Sequence, residues 1–279
     1  MKILFLGFAL GLCSCSQKVI KSGPLQIIDA HLHFNSKKQN SFNQPTPLLL
    51  EKFQKNSVVG GVVHLTDEEN FKVSVDRKGA IKWMTCVGLH ENDKVEKVEK
   101  GIKERRFQCI KVYLGYVPKW ATDPFYRGFY RLAERYQLPV VFHTGDTYDK
   151  MAKVKFADPL QIDEVAVEYP KVKFVIAHMG NPWFNSAAEV VYKNDNVYVD
   201  VSGLLLGDIS HLKSEELDEL VIKPVKWFYA YVENPKKFLF GSDWPLVEME
   251  PYIDLMKRII PEKDWQGFFH DNAKEVFGF

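Results

Sequence analysis

The chain has 279 residues, of which 46% are hydrophobic and 26% charged, and its formal net charge at pH 7 is +1. This length suits one large globular domain, and the composition is ordinary for that class. A net charge so close to zero provides no positive field of the kind that nucleic-acid binding needs. We therefore expect a small-molecule substrate recognised inside a site, and no nucleic-acid partner. The sequence specifies no oligomeric state.

The first residues form a segment of different character. Lys2 precedes the apolar run 3–12, which is too short to span a membrane as a helix and has the pattern of a secretory signal. The run ends in Leu12-Cys13-Ser14-Cys15, which resembles a bacterial lipobox with Cys15 as the lipidated residue. Signal cleavage without a lipid is the alternative. We predict a signal peptide at 1–15, a polar tether at 16–24, and an exported lipoprotein, anchored to the membrane through Cys15 and located in the periplasm or at the cell surface.

Two cysteines remain if the lipobox is processed in this way. Cys86 and Cys109 each lie in an apolar, strand-like run. Export permits a disulfide between them, but cysteine is also among the most buried residue types. The sequence favours buried free thiols and leaves the disulfide open.

From residue 25 to 279, short apolar runs alternate with longer amphipathic stretches. The apolar runs are continuous, as is typical of parallel strands covered by helices on their outer face. This alternation predicts a single (β/α)₈ TIM barrel over residues 25–279. The predicted strands are 25–31, 58–64, 81–89, 108–114, 138–143, 172–178, 197–201 and 237–242. The predicted helices are 47–55, 93–103, 124–136, 160–168, 184–193, 214–231, 249–260 and 262–277.

In this fold the active site lies at the carboxyl ends of the strands, so the residues that end the apolar runs are the candidates. His31 and His33 end the first strand with the spacing of residues that share one face. His143, His178 and Asp243 end the fifth, sixth and eighth strands. Several imidazoles with one carboxylate suit Zn²⁺ and similar divalent ions.

The other histidines carry less weight. His64 and His90 also end apolar runs, but a single histidine beside such a run is more often a structural group with its hydrogen bonds satisfied. His211 and His270 lie in helical or loop sequence. For all four we predict structural, packing or surface positions, with a pocket-lining position as the alternative for His64 and His90.

The set of motifs resembles the amidohydrolase superfamily, and in detail its amidohydrolase-2 branch of hydrolases and decarboxylases. The resemblance rests on Asp29-Ala-His-Leu-His33, His143-Thr-Gly, His178-Met-Gly, Gly-Ser-Asp243-Trp-Pro and the closing Asn272-Ala273. It implies one divalent ion, zinc or alternatively manganese. The implied metal ligands are His31, His33, His143 and Asp243. It also implies that Asp243 accepts a proton from the attacking water and that His178 orients or polarises the reacting group.

Lys111, in the fourth strand, admits three interpretations. In binuclear members of the superfamily a lysine at a similar position is carboxylated and bridges two ions. In mononuclear members it is unmodified and contacts substrate, and a buried lysine can also pair with a carboxylate. We favour a substrate or structural contact over the bridge.

The predicted loops supply many aromatic side chains, which favour a small cyclic or aromatic substrate. We expect the pocket lining to come from Phe34, Asn35, Tyr116, Lys119, Trp120, Asp146, Tyr148, Asn181, Trp183, Phe184 and Trp244. Trp244 is alternatively a residue that only shapes its turn. The leading hypothesis is a metal-dependent hydrolase acting on an amide, lactone or ester-like bond. A decarboxylase using the same ligands and a non-catalytic ligand-binding lipoprotein are the alternatives.

Overall fold

The computed structural model describes residues 25–33, 46–66 and 81–279. The predicted signal peptide with Cys15, the tether, and the loop residues Phe34 and Asn35 lie outside these ranges. Among the described residues, no helix is both long and apolar enough to cross a membrane.

Eight parallel strands form one sheet in which each strand pairs with its neighbours in chain order. This arrangement confirms the predicted (β/α)₈ barrel. The strands are β1 Ile27–Leu32, β2 Val58–His64, β3 Lys82–Leu89, β4 Cys109–Tyr113, β5 Val140–His143, β6 Phe174–Ile176, β7 Val197–Asp200 and β8 Phe238–Leu239.

The chain after β8 closes the barrel against β1. The Ala30 amide donates to the Phe240 carbonyl at 2.8 Å, and the Asp243 amide donates to the His31 carbonyl at 2.8 Å. The His33 amide then donates to the Trp244 carbonyl at 2.8 Å. Closure therefore takes place along the two segments that carry His31, His33 and Asp243.

The helices follow the predicted ranges closely. Two predicted helices are divided by π-helical turns, at Asp218–Ile222 and Gly267–Asp271. The connection from β2 to β3 lies mostly outside the described residues. The α-helices are α1 Thr46–Lys55, α2 Val95–Lys103, α3 Pro124–Tyr136, α4 Ile162–Glu168, α5 Phe184–Lys193, α6 Ser214–Leu217, α7 Lys223–Val232, α8 Met249–Ile259 and α9 Asn272–Phe277.

The barrel interior below the site is apolar. Residues from seven strands meet there, and residues of α9 pack with them, so the barrel is filled and contains no channel. Along β4, Cys109 belongs to this interior and Lys111, two residues further, shares its side of the strand. The interior strand residues are Ile28, Ala30, Val62, Cys86, Cys109, Val141, Val175 and Leu239.

The two interior cysteines form a disulfide. Cys86 and Cys109 are direct partners in the β3–β4 ladder, and both are fully buried. The preference for free thiols was therefore wrong, although both residues are buried as expected. The sequence does not show the register of β3 and β4, and this register is what brings the two sulfur atoms together.

This bond generates a prediction about stability. The disulfide joins residues 23 positions apart, and closing such a loop restricts the unfolded chain. Replacing both cysteines with alanine should lower the free energy of unfolding by about 2–4 kcal/mol, measured by urea titration. Wild-type protein under strong reductant should lose a similar amount. A wild-type unfolding curve that is unchanged by reductant would contradict the assignment.

Candidate active site

The predicted site residues lie together at the carboxyl ends of the strands. The ring centroid of His31 is 5.3 Å from that of His33 and 4.8 Å from that of His178. The His178 ring is in turn 5.0 Å from the ring of His143. Asp243 approaches from the segment after β8, with Oδ1 3.2 Å from His33 Nε2. These contacts connect the residues predicted at the ends of strands 1, 5, 6 and 8.

A register shift lets β1 present its two histidines. Three residues of β1 advance from Asp29 to Leu32 while β2 advances only two, from Gly61 to Val63. The regular alternation of the strand is therefore interrupted. As a result, Ala30 packs in the barrel interior, whereas His31 reaches Asp243. His33, the residue that follows β1, also reaches Asp243.

Hydrogen bonds assign the ring protons of these two histidines. His31 Nδ1 lies 2.9 Å from Asp200 Oδ2, and His33 Nδ1 lies 3.1 Å from the His64 carbonyl oxygen. Both partners are acceptors, so each Nδ1 carries the proton. Burial holds the pKa of His31 well below its usual range, so this ring is neutral. These hydrogen bonds orient both rings so that the lone pair that can bind a metal ion is the one on Nε2.

Asp243 faces these lone pairs. Its Oδ1 is 3.2 Å from His33 Nε2 and 3.8 Å from His31 Nε2. That oxygen is buried and receives no hydrogen bond from the described residues. Two ring lone pairs and a carboxylate oxygen at such distances repel one another unless a cation or proton lies between them. The donor set therefore fits a divalent metal ion, with one carboxylate and neutral imidazoles as ligands.

The loop after β7 leaves room for Asp243. A Cβ atom on Gly203 would lie 2.6 Å from Asp243 Oδ2 and 3.1 Å from His178 Nδ1. Gly203 also has a φ of +60°, which glycine adopts at little cost. Glycine at this position keeps the carboxylate and the imidazole within reach of each other.

Asp200, at the end of β7, connects His31 with His178. Its Oδ2 accepts the His31 Nδ1 proton, while its Oδ1 accepts hydrogen bonds from the amides of His178 and Ser202 at 3.1 and 3.0 Å. The Ser202 hydroxyl also donates to Oδ1. Because the Ser202 hydroxyl donates its proton to Asp200, Ser202 Oγ acts as an acceptor toward His178 Nδ1, at 2.9 Å. The Ser202 carbonyl oxygen lies 3.0 Å from the same nitrogen. His178 Nδ1 is therefore protonated, and its Nε2 is free to act on a ligand.

His143 has the opposite tautomer. Its Nε2 donates to the Asp146 carbonyl at 2.9 Å, so its lone pair lies on Nδ1. Burial lowers its pKa well below the usual range. Within the described ranges, the groups of three donor atoms within 4.8 Å of one another are His31–His33–Asp243 and His31–His178–Asp200. His143 belongs to neither group, and its role as a ligand stays a prediction.

Lys111 lies fully buried beneath the histidines. Its Nζ donates to His31 Nε2 at 3.3 Å and lies 5.5 Å from the centroid of the Tyr113 ring. Burial lowers its pKa to about 8, against the opposing effect of Asp200 and Asp243. Among the described residues, no carboxylate oxygen pairs with it within 4.0 Å, so its direct contact is with a candidate ligand. A positive charge is thus already held beside the His31 lone pair.

Backbone strain is concentrated in the same place. His178, Met179 and Asp243 have φ values of 59°, 52° and 65°, in the left-handed region that such residues seldom adopt. Non-glycine residues in this conformation cost about 1–3 kcal/mol each and cluster at functional sites. The hydrogen bonds to Asp200 and His31 described above hold His178 and Asp243 in these conformations.

Asp29 supports the site without facing it. Its carboxylate accepts from the amides of His31 and Ser242 at 3.1 and 2.9 Å, and from the Ser242 hydroxyl at 2.5 Å. It thereby connects β1 to the segment that carries Asp243. Burial raises its pKa to about 7.

The remaining predicted residues lie apart from this cluster. His90 and His211 are exposed, and His270 contacts Asp271 on the surface. Trp244 is only 2% exposed and packs in the core, so its side chain faces no open pocket. Trp183 and Phe184 line a groove of about 620 Å³ with α7, to which none of the site histidines contributes.

Of the other predicted lining residues, Asp146 contacts His143 Nε2 through its main-chain carbonyl at 2.9 Å, and Tyr116 has its ring centroid 4.8 Å from that of His143. The Tyr148 amide donates to its hydroxyl at 3.0 Å. Trp120 packs on Phe156, with ring centroids 4.8 Å apart. The loops after β4 and β5 therefore supply aromatic groups on the His143 side.

Sequence analysis missed Asp200, Ser202 and the contact of His64 with the site. The signal that could have identified Asp200 is its position as the polar residue that ends the apolar run Val-Tyr-Val-Asp200 in β7. Ser202 carries no signal of its own. His64 has such a signal, but a structural position was preferred to the alternative that it lines the pocket.

Comparison with known proteins agrees with this geometry. The sequence profile described as amidohydrolase matches residues 28–279, from β1 to the last residue. The chain belongs to the amidohydrolase-2 family. The predicted resemblance is confirmed, and membership in this family makes the chain an enzyme. No curated protein matches this amidohydrolase.

Solved structures show the same barrel at low sequence identity. A probable 2-pyrone-4,6-dicarboxylic acid hydrolase from Acinetobacter baumannii is 16% identical, with a TM-score of 0.63 over 91% of this chain and 100% of that chain. A dihydroxybenzoic acid decarboxylase from Polaromonas, with bound manganese, is 14% identical, with a TM-score of 0.68 over 91% and 97%. A 5-carboxyvanillate decarboxylase from Sphingomonas paucimobilis is 13% identical, with a TM-score of 0.65 over 91% and 99%. Both hydrolases and decarboxylases therefore share the fold of this amidohydrolase.

The Asp200 network predicts a strong effect of an isosteric change. Asp200→Asn replaces one carboxylate oxygen with an amide NH₂ group. The Asp200 carboxylate accepts from His31 Nδ1, from the amides of His178 and Ser202 and from the Ser202 hydroxyl, so at least one of these buried donors would then face the NH₂ group. We expect metal affinity to fall about 10–100-fold and the free energy of unfolding to fall by about 1–3 kcal/mol. Chelator competition and urea unfolding measure the two effects. Asp195→Asn, at an exposed position before β7, is the control, and an Asp200→Asn protein with wild-type metal affinity would contradict the network.

The buried histidines predict acid sensitivity of the metal-free protein. Burial lowers the pKa of His31, His64, His143 and His178 below the usual 6.5. Below pH 6.5 the unfolded chain therefore binds protons that the folded chain does not. Each such histidine should remove up to about 1.4 kcal/mol of stability per pH unit as the pH falls.

The pKa of about 7 at Asp29 acts in the opposite direction, because the folded state retains that proton. One carboxyl group offsets only part of the effect of four histidines. Urea unfolding in EDTA should therefore give lower stability at pH 5.5 than at pH 7.5. Equal or higher stability at pH 5.5 would show that these rings are not held neutral.

Proposed function

We propose that this amidohydrolase is a metal-dependent hydrolase acting on an amide, lactone or ester-like bond of a small substrate. The observation that carries the proposal is the buried Asp243 Oδ1, which receives no hydrogen bond from the described residues and lies 3.2 Å from His33 Nε2 and 3.8 Å from His31 Nε2. A carboxylate in this position can accept a proton from a water molecule and return it to a leaving group.

The metal would be a single Zn²⁺ ion, with Mn²⁺ as the alternative. His31, His33 and Asp243 would hold it, and His143 would complete the set. The contact of Lys111 with His31 Nε2 favours one ion, because an ammonium group already supplies positive charge on that side. A bridged pair of ions would require carboxylation of Lys111. When bound, such an ion lowers the pKa of a coordinated water and polarises a carbonyl oxygen.

His178 would stabilise charge on the reacting oxygen. Its Nδ1 proton is held by Ser202, so the Nε2 edge has a fixed orientation. When protonated, Nε2 donates a hydrogen bond to a developing oxyanion, and when neutral it accepts a proton. The φ of 59° at His178 and its amide bond to Asp200 keep the ring in one position.

The substrate would be a small molecule, cyclic or aromatic, bound beside the aromatic side chains near His143. Tyr116 supplies such a ring next to the site. The hydrolase from Acinetobacter baumannii acts, by its name, on a cyclic lactone that carries carboxylates. That likeness supports a lactone as the first compound to test.

Non-oxidative decarboxylation is the second candidate. Decarboxylases of 5-carboxyvanillate and 2,6-dihydroxybenzoate share the barrel at 13% identity, and the same donor set could hold a substrate carboxylate beside the ion. A non-catalytic binding role has less support, because His31, His33 and Asp243 form a group that could hold a metal ion and the family is one of enzymes.

Two probes separate these functions. We expect Zn²⁺-loaded protein to open 2-pyrone-4,6-dicarboxylate with uptake of one ¹⁸O from labelled water, and to release no CO₂ from 2,6-dihydroxybenzoate. Asp243→Asn should lower turnover by about 10²–10⁴-fold, the usual contribution of a general base. Asp254→Asn, on the exposed face of α8, should turn over like wild type. Release of CO₂ without ¹⁸O uptake would favour the decarboxylase, and full activity of Asp243→Asn would refute its role.

We also propose that the enzyme is an exported lipoprotein anchored through Cys15, as the apolar run and the Leu-Cys-Ser-Cys15 motif indicate. In a bacterial host, wild-type protein should incorporate labelled palmitate and sediment with membranes. Cys15→Ser should abolish both properties. Cys13→Ser is the matched control and should leave both unchanged, whereas labelling that survives Cys15→Ser would contradict the anchor.

A further inference from the structure

His64 contacts both histidines of the β1 pair. It is the last residue of β2 and is fully buried. Its main-chain carbonyl accepts the His33 Nδ1 proton at 3.1 Å. Its ring centroid lies 4.1 Å from that of His31, with the two planes inclined at 39°. One residue therefore fixes the tautomer of His33 and packs against the ring of His31.

The His64 side chain also fixes the backbone between those ligands and the rest of β1. Its Nε2 lies 3.1 Å from the Ala30 carbonyl oxygen, an acceptor, so Nε2 carries the ring proton. Ala30 immediately precedes His31 and lies within the register shift of β1. An interrupted ladder leaves local backbone groups without regular partners. The His64 N–H supplies one of those partners at this point.

The choice of imidazole at this position has a cost. One ring nitrogen, Nδ1, is buried and has no hydrogen-bond partner among the described residues. A buried polar atom without a partner destabilises the fold, and an aliphatic side chain would avoid that cost. The benefit of the imidazole therefore lies in the N–H that it donates to Ala30.

We infer that His64 is a positioning residue of the metal site, which holds His31 and His33 in their ligand geometry through the N–H that it donates to Ala30 and through its main-chain carbonyl. This inference rests on the proposed metal-dependent function. It gives His64 no contact with substrate. Loss of one residue that orients metal ligands commonly weakens metal binding about 10–100-fold.

The test uses three substitutions that separate the N–H from the bulk of the ring. Glutamine can place an amide N–H near the position of the His64 Nε2, whereas asparagine reaches only the position of Nδ1 and leucine donates nothing. We expect the Zn²⁺ dissociation constant of the full chain, from chelator competition, to rise about 10–100-fold in His64→Asn and His64→Leu. In His64→Gln it should stay within about threefold of wild type, because the donor is restored.

The matched control is His90→Leu. His90 follows β3 and lies 3.0 Å from a main-chain carbonyl through Nε2, but it is exposed and its hydrogen-bond partners are Thr66 and Asp93. The Zn²⁺ affinity of His90→Leu should equal that of wild type. Thermal unfolding of the metal-free proteins is the second measurement: a positioning role predicts that His64→Gln and His64→Asn are both folded at the temperature of the metal titration, so that unfolding does not cause their difference in affinity. If His64→Leu does not fold, the glutamine and asparagine pair decides the question.

The outcomes distinguish this inference from the proposed function. Equal Zn²⁺ affinity in wild type, His64→Asn and His64→Gln would overturn the role of His64 and leave the metal site standing. An equal loss in the asparagine and glutamine variants would also overturn it, since the N–H would then not be the cause. A wild-type chain that binds no Zn²⁺ would overturn both proposals. Tight binding that follows the predicted order supports His64, even if no probe is hydrolysed.

Discussion

The site depends on where the ring protons of its histidines are held. His31 donates its Nδ1 proton to Asp200, His33 to the His64 carbonyl, and His178 to Ser202, so in each ring Nε2 is the nitrogen that does not carry this proton. A neutral imidazole with one nitrogen committed in this way has a fixed orientation and a more basic second nitrogen. Asp243 brings a buried carboxylate oxygen up to two of these nitrogens. The resulting group of acceptors fits a divalent cation at this end of the barrel, next to the Lys111 ammonium group that contacts His31 Nε2.

The rest of the barrel serves to keep that group in place. Below the site, the interior is apolar and the β3–β4 pair is joined by the Cys86–Cys109 disulfide. At the closure, Asp29 accepts hydrogen bonds from both β1 and Ser242, so the segments that carry the histidine pair and Asp243 cannot move independently. Burying so many polar groups is unfavourable unless each has a partner. Strained backbone at His178 and Asp243 adds to that cost, and the hydrogen bonds to Asp200 and His31 offset it.

Much of this arrangement could be predicted from sequence, for physical reasons. Continuous apolar runs with polar ends identified the parallel strands, and the barrel places those ends together, so His31, His33, His178 and Asp243 could be assigned to one site.

Features that depend on register could not be predicted. The disulfide requires Cys86 and Cys109 to be ladder partners, and the shift in β1 alters which residues face inward. Hydrogen-bond partners could not be predicted either. Asp200 ends an apolar run as the other candidates do, but only the folded chain shows that it accepts hydrogen bonds from His31, His178 and Ser202. The same holds for Trp244, whose sequence position suggested a pocket and whose side chain is in the core.

The positions of the ring protons can be measured by ¹⁵N NMR of histidine-labelled protein during titration of the metal-free form with Zn²⁺. We expect Nδ1-protonated rings for His31, His33 and His178 and Nε2-protonated rings for His64 and His143 before metal is added. One equivalent of Zn²⁺ should then shift the Nε2 resonances of His31 and His33 and leave their Nδ1 protons in place. Nε2-protonated rings at His31 and His33, or resonances that do not respond to Zn²⁺, would contradict this expectation.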